Sequence, residues 1–334
     1  MIPIKKHAKT IGKLVFVLIL IAIIVYTFKD SAGDILTQLA DTSLLVVAGI
    51  CISSVLYELV EGWITWSLAK VYNPDFKYWQ GVESAFYAAF YRVATLGSGA
   101  GVAAIYYFNE QGVPYSKGTG MYTIEYMLHK VGIAIFSGLL FLLNWGYMQK
   151  YYSEYNMTLL AGFGITFVIA VVLLLFACSK KFHEMILWIV RKLNRSGKLT
   201  EQLLKLEEQC KILEEAAGTL LKRGSLIGGC VLKNLLKCVF WYGIPYLILR
   251  DSYDMTLSQV LAVTSLSMML AAVIPAPAGI GSSEFVLTML LALIVGTAEA
   301  GSVALLYRFA TFVLPFLIGA AVVLLRKKVH KQKR

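Results

Sequence analysis

The sequence predicts an all-α, polytopic integral membrane protein. It has six to eight transmembrane helices and two broken, re-entrant hairpins arranged as an inverted repeat. Three observations predict this. Of 334 residues, 58% are hydrophobic and 15% charged, with a mean hydropathy of +0.69, whereas soluble domains are about 45–50% apolar and about a quarter charged. The apolar residues form runs, such as residues 14–28, too long for one face of a soluble helix. Two further apolar regions are broken by glycine- and proline-rich sequence through which no helix runs undisturbed.

The net charge is +11, but the basic residues sit at the tips of apolar runs and not in a continuous stripe with aromatics, so no nucleic-acid partner is expected. Such flanks orient a membrane protein against anionic headgroups. Cys51, Cys178, Cys210, Cys230 and Cys238 contain no CxxC pair and read as small apolar filler, without a disulfide framework or metal site.

Taken in order, Lys5, Lys6, Lys9 and Lys13 precede a first span at 13–28, which lacks a small-residue cleavage site and reads as an uncleaved helix. Further spans are predicted at 42–69, 119–145, 157–178, 224–250 and 302–325. The N-terminal lysines place residue 1 in the cytoplasm. The loop 29–41 carries Asp30, Asp34 and Asp41 against Lys29 and falls outside, whereas 179–223, with ten Lys and Arg, falls inside. Two full spans precede 179–223, so residue 119 is also inside. Residues 83–108 therefore enter and leave on the cytoplasmic side, as a re-entrant hairpin broken at residues 96–101. By the same count 256–296 starts and ends outside. It is either a second hairpin from the opposite face or two full helices bent at residues 275–281. Arg326, Lys327, Lys328, Lys331, Lys333 and Arg334 follow the last span, so both termini are expected in the cytoplasm of a cell whose inner (plasma) membrane holds the chain.

This divides the chain into a first transmembrane repeat at 1–178 with hairpin 83–108, a cytoplasmic helical linker at 179–223, a second repeat at 224–326 with hairpin 256–296, and a basic tail at 327–334. A broken hairpin followed by a charged helix occurs in each half, in opposite orientations. Opposed broken helices suit a transporter whose substrate sits where the unwound ends meet. In the linker, Leu199, Leu203, Leu206, Cys210, Leu213, Ala217 and Leu220 make one apolar stripe. Three arrangements are open to it: packing on the protein's own cytoplasmic face, lying on lipid, or pairing as a coiled coil in a homodimer.

An ionisable group at bilayer depth costs at least ~2.5–3.5 kcal/mol, so each one needs a reason. The candidates are Glu58, Glu61, Arg92, Glu125, His129, Lys130, Glu284 and Arg308. Glu58 and Glu61 share a helix face, and a structural ion pair such as Glu61 with Arg92 has the same weight as a coupling role. Arg92 can hold a phosphate bidentately, with amides of Gly97, Ser98, Gly99 and Gly101 at the start of the next half-helix as further donors. The alternative is that these glycines allow close helix packing. In the second motif Pro277, Gly279 and Gly281 break the helix, Ser282 and Ser283 can cap its restart or bond a headgroup, and Glu284 can pair with a cationic headgroup or with Arg308. Glu125 with His129 reads as a hydrogen-bonded pair, structural or proton-coupling. No HExxH, GxSxG, P-loop or aspartate-rich pair is present, so no catalytic residue, metal or cofactor is expected. The two motifs are expected within about 10–15 Å of each other around a polar cavity of about a few hundred Å³ that Arg308 faces.

The run RVATLGSGAG at 92–101, then Glu125, the run PAPAGIGSSE at 275–284 and Arg308 resemble the lysylphosphatidylglycerol synthase transmembrane family, over about residues 10–325. The P-x-P-x-G-I-G-x-x-E element is the most specific part. The resemblance implies a polytopic lipid translocator, with aminoacylated phosphatidylglycerol the best-known substrate and the flippase part of the multiple peptide resistance factor as a member. That factor continues into a soluble domain joining lysine from charged tRNA to the lipid. This sequence stops at Arg334, so synthesis by this chain alone is not expected. Other members are fused to, or neighbours of, glycosyltransferases, which keeps glycolipid or polyprenyl-linked substrates open. Three functions follow: a lipid flippase, a membrane subunit presenting lipid to a separate soluble synthase or glycosyltransferase, and an ion-coupled transporter of a small solute.

Overall fold

The computed structural model describes residues 32–194, 200–274 and 276–332. The predicted span at 13–28 and its lysines lie outside the described residues, as do Leu199, Pro275, Lys333 and Arg334. All regular structure among the described residues is helical. In chain order the helices are α1 (Ala32–Asp41), α2 (Leu44–Ala69), α3 (Tyr78–Ala94), α4 (Ala100–Glu110), α5 (Tyr115–Leu143), α6 (Trp145–Tyr152), α7 (Asn156–Cys178), α8 (Lys180–Leu193), α9 (Thr200–Leu220), α10 (Gly224–Tyr242), α11 (Ile244–Leu249), α12 (Leu257–Ala271), α13 (Ser282–Val295), α14 (Thr297–Arg308) and α15 (Leu314–Gln332).

Local chemistry sets these boundaries. Ser43 caps α2 by accepting the Val46 amide at 3.4 Å, and Thr256 with Gln259 closes a reciprocal cap on α12 at 3.3 and 2.9 Å. Pro245 lies in the first turn of α11 and bends the α10–α11 span without ending it. Four segments are long and apolar enough to cross a membrane: α2, α5, Gly224–Leu249 (α10 with α11) and Thr297–Arg326 (α14 into α15). The last begins five residues before the expected 302. Gly296 breaks the chain with φ +85°, and the polar first turn with Thr297 and Glu299 masks the helix start in the sequence.

Two helix pairs are too short to cross. α3 and α4 have 17 and 11 residues, and α12 and α13 have 15 and 14. At ~1.5 Å per residue none spans a hydrocarbon core of ~30 Å. Both outer ends of the first pair meet Arg326 of α15, through Glu110 at 2.6 Å and Glu83 at 3.5 Å. The second pair is tied at the far end of the bundle. Asn144, which ends α5, donates to Ser258 Oγ at 2.8 Å, and Tyr253 donates to the Val295 carbonyl at 3.1 Å. α5 itself, with 29 residues, is ~43 Å long and separates these two levels, since its first turn bonds α9 through Lys117 and Glu215 at 2.6 Å. The outer ends of the two pairs are thus held by different partners, Arg326 for the first and Asn144 and Tyr253 for the second. The tips of the pairs touch: a Cβ on Gly97 would lie 3.4 Å from the Ala278 nitrogen.

Close helix crossings use small residues, as membrane packing does. α2 meets α3 at Gly62 and Gly81, where a Cβ on Gly62 would come within 2.5 Å of the Val82 backbone. The linker forms two helices, α8 and α9. Cys210, Leu213, Ala216 and Leu220 of α9 are buried, and Ala216 packs where Gly120 of α5 leaves room. Of the three arrangements open to the stripe, the fold adopts packing on the protein's own core. Beside it, Lys117 holds the Glu215 carboxyl below the usual carboxylate range by donating to it.

Candidate functional site

Three spans bring polar side chains together inside the apolar bundle. Glu58, Glu61 and Thr65 lie at i, i+3 and i+7 on α2, on the face toward α5 and α10. Glu125 and His129 are one turn apart on α5. Asn234 and Lys237 are one turn apart on α10, and both are buried. Lys237 donates to Glu61, and its ammonium lies 5.3 Å from the Tyr57 ring, which stacks on Trp241 at 3.8 Å. Thr65 donates to Glu125 at 2.5 Å. Asn234 donates to the Cys230 carbonyl at 2.9 Å, and Gly132 lets α10 approach α5; a Cβ there would lie 2.7 Å from that of Asn234. Glu58 Oε1, His129 Nδ1 and Asn234 Oδ1 are buried with no hydrogen-bond partner among the described residues, an expensive arrangement in apolar surroundings.

A pocket of about 60 Å³ opens beside this cluster, between the first hairpin and the α2 and α5 spans. Its polar lining is Glu61, Thr65, Ser84, Tyr122, Glu125, Tyr126 and His129, with Ala85, Ala88, Ala104 and Phe108 from the hairpin. No lysine or arginine lines it.

The sequence offers a structural pair of Glu61 with Arg92 as one of two readings of Glu61. The structure gives Glu61 to Lys237, and Arg92 forms no ion pair among the described residues. Arg92 stands near enough for its charge to act on Glu58 and His129. Lys130 lies over the Tyr126 ring at 5.2 Å. Lys237 and Asn234 were missed, although a lysine inside the apolar stretch 224–250 carries the same signal that singled out Glu58.

The glycine motifs make sharp turns. α3 ends with the Gly97 amide on the Arg92 carbonyl at 2.7 Å and the Leu96 amide on that of Val93 at 3.2 Å, with Leu96 at φ 51° and Gly97 at φ 98°. This is a Schellman turn in which leucine takes the left-handed position usual for glycine. The Ser98 amide bonds the Thr95 carbonyl at 3.2 Å, and the Gly99 amide bonds the Thr95 hydroxyl at 2.6 Å. The amides of Gly97, Ser98 and Gly99 are therefore engaged within their own turn and are not free anion donors as expected; the Thr95 hydroxyl is the reason for Gly99. A Cβ on Gly101 would meet the Tyr122 ring at 2.7 Å, so Gly101 serves packing.

In the second motif, Ala278, Gly279 and Gly281 have φ of 54°, 71° and 80°, and Pro277 opens the short 3₁₀ turn that holds them. The serines do not accept helix amides. Ser282 donates to the Gly279 carbonyl at 3.3 Å, and the Ser283 hydroxyl lies between that carbonyl at 3.0 Å and the Glu284 carboxylate at 2.6 Å. Glu284 caps α13 instead, accepting the Gly281 amide at 3.1 Å, and pairs with Arg308 at 3.1 Å. Arg308 also lies 3.7 Å over Phe312. The tips meet in an apolar cluster of Val93, Phe312 and Phe316 with Phe90, Ala278 and Ile280. The expected large polar cavity between the motifs is thus replaced by an apolar seal. The pocket lies on the side of the first hairpin, and Arg308 does not line it. Side-chain volume at the tips, which glycine spacing does not encode, is the physical reason.

Helices long enough to span, short helix pairs meeting tip to tip and ionisable groups buried among the spans define a polytopic α-helical membrane protein. The chain belongs to the family described as the lysylphosphatidylglycerol synthase TM region, whose model matches residues 11–319. That family associates this membrane domain with lysylphosphatidylglycerol synthesis or flipping. Among curated protein sequences none matches the chain.

Proposed function

We propose that the chain translocates a phospholipid whose headgroup carries an ammonium, such as an aminoacylated phosphatidylglycerol, across the cell membrane, with both termini in the cytoplasm. The observation that carries this reading is the charge of the pocket: Glu61 and Glu125 line it and no cation does. A lipid ammonium there would meet Glu125 and compete with Lys237 for Glu61, and Arg92 nearby suits its phosphate. At about 60 Å³ the pocket takes an ammonium-sized group, since about 10–15 Å³ of such space holds one water. Admitting the rest of the headgroup requires the first hairpin to move. The two hairpins, read as an inverted repeat, supply opposed gates whose touching tips separate the two sides.

The test is flipping in proteoliposomes, read as loss of lysylphosphatidylglycerol amines from a membrane-impermeant amine reagent. Protein should accelerate the exchange, Glu125→Gln should slow it at least tenfold, and unmodified phosphatidylglycerol should move more slowly. Exchange no faster than in protein-free vesicles, with protein shown to be folded, would sink the reading.

A further inference from the structure

The outer face of α8 has a feature that the lipid pathway does not use. α8 begins two residues after α7 ends at Cys178. α7 exposes Phe167, Val168, Ile169, Leu174 and Leu175, an apolar surface suited to acyl chains up to its last turn. The helix breaks at Ser179. Ser179 caps α8 by accepting the Phe182 amide at 3.3 Å, and buried His183 bonds the Phe176 carbonyl of α7. α8 therefore starts where the apolar surface of α7 stops.

One side of α8 is held by the protein. His183 also faces Glu214 of α9 at 3.2 Å, and Arg191 bonds Glu207 at 2.6 Å. The other side is open, with Met185, Trp188 and Ile189 exposed by 46%, 60% and 41%. Lys181, Met185, Trp188 and Lys192 fall at i, i+4, i+7 and i+11, one stripe with an apolar middle and a cation at each end. Exposed Lys180 adds a third cation, Glu184 is the one exposed acid on the helix, and the Lys192 ammonium lies 4.9 Å from the Trp188 ring.

We propose that this face of α8 rests on the bilayer surface and binds anionic phospholipid headgroups. Trp188, Met185 and Ile189 enter the headgroup–acyl boundary, and the lysines reach the phosphates. Charge complementarity and the position directly after a lipid-facing helix select this occupant. A second protein packed on the stripe would have to bury Lys181 and Lys192, which a membrane surface leaves at the phosphates.

The experiment places a nitroxide at Ile189→Cys, in a background with the native cysteines replaced, in nanodiscs of phosphatidylcholine with or without a quarter phosphatidylglycerol. With phosphatidylglycerol the nitroxide should be accessible to oxygen and shielded several-fold from a water-soluble nickel chelate. Lys181→Gln with Lys192→Gln should remove most of that shielding. Full exposure to the chelate in both discs would overturn the proposal. So would shielding that is equal in both discs and indifferent to the lysine changes, which would point to a protein on the stripe. If the cysteine-free background does not fold, the native-cysteine protein serves. Its tryptophan quenching by brominated phosphatidylglycerol should fall on Trp188→Phe, and unchanged quenching would overturn the proposal equally.

Discussion

Lys237 is the strongest single handle on the buried cluster. Its side chain is 1% exposed and its partner Glu61 is 27% exposed. Two unit charges ~4 Å apart at an effective dielectric of ~20 attract by ~4 kcal/mol, and removing one partner of a buried pair costs ~3–5 kcal/mol. Partial exposure of Glu61 reduces this by screening, so Lys237→Met, which keeps the chain length, should destabilise the protein by about 2–4 kcal/mol. Glu58 and Glu125 stand near and act on the same charge, so the loss is not relieved locally. Adding Glu61→Gln should return stability to within about 1 kcal/mol of the parent, because a buried pair replaced as a whole is nearly neutral. Steric trapping in bicelles measures these free energies directly. A single variant as stable as the parent, or a double variant worse than the single, would refute the pairing.

Other expectations follow from the same geometry. Gly97→Ala should cost about 1–2 kcal/mol, because the residue sits at φ 98° against Ala278; an unchanged unfolding free energy would remove the backbone argument. Arg326→Gln should speed amide exchange at the outer ends of α3 and α4 without touching the tips, since Glu83 and Glu110 lose their common anchor; mass spectrometry reads this by segment. Because the Glu215 carboxyl is held low by Lys117, their link should persist at neutral pH and be lost as acid brings the pH down through the lowered pKa. Labelling of Ala216→Cys on α9 against pH checks the sign. Cysteines at Lys117 and Lys150 should label from opposite sides of the membrane, the first from the cytoplasm; labelling from one side would break the proposed topology.

The architecture was legible because its determinants are local and strong. Apolar runs set spans, and the glycine and proline motifs at 96–101 and 275–281 set the hairpin tips. The site was only half legible. Glu58, Glu61, Glu125 and His129 stood out as ionisable groups in apolar sequence, and they do converge. Which cation Glu61 takes depends on the rotation of α10 relative to α2, and sequence carries no such angle. Ser282 and Ser283 show a similar limit. Their placement at the Gly279 carbonyl, with Glu284 as the cap, depends on the left-handed turn before them.

The last span also contains one wide turn, a π-helical segment at Phe309–Val313, whose Ala310 carbonyl accepts the Ser54 hydroxyl at 2.5 Å. Arg308 and Arg326 are eighteen positions apart, and at ~3.6 residues per turn an unbroken helix would aim both along one line. A π turn inserts a residue and swings everything after it by about 100°. That offset lets a single rod hold Glu284 beside one hairpin tip with Arg308 and clasp the mouth of the other hairpin with Arg326. If the wide turn relaxed to ordinary helix, both side chains could not keep their partners at once. Twisting this one axle would release one hairpin while the other stays fastened.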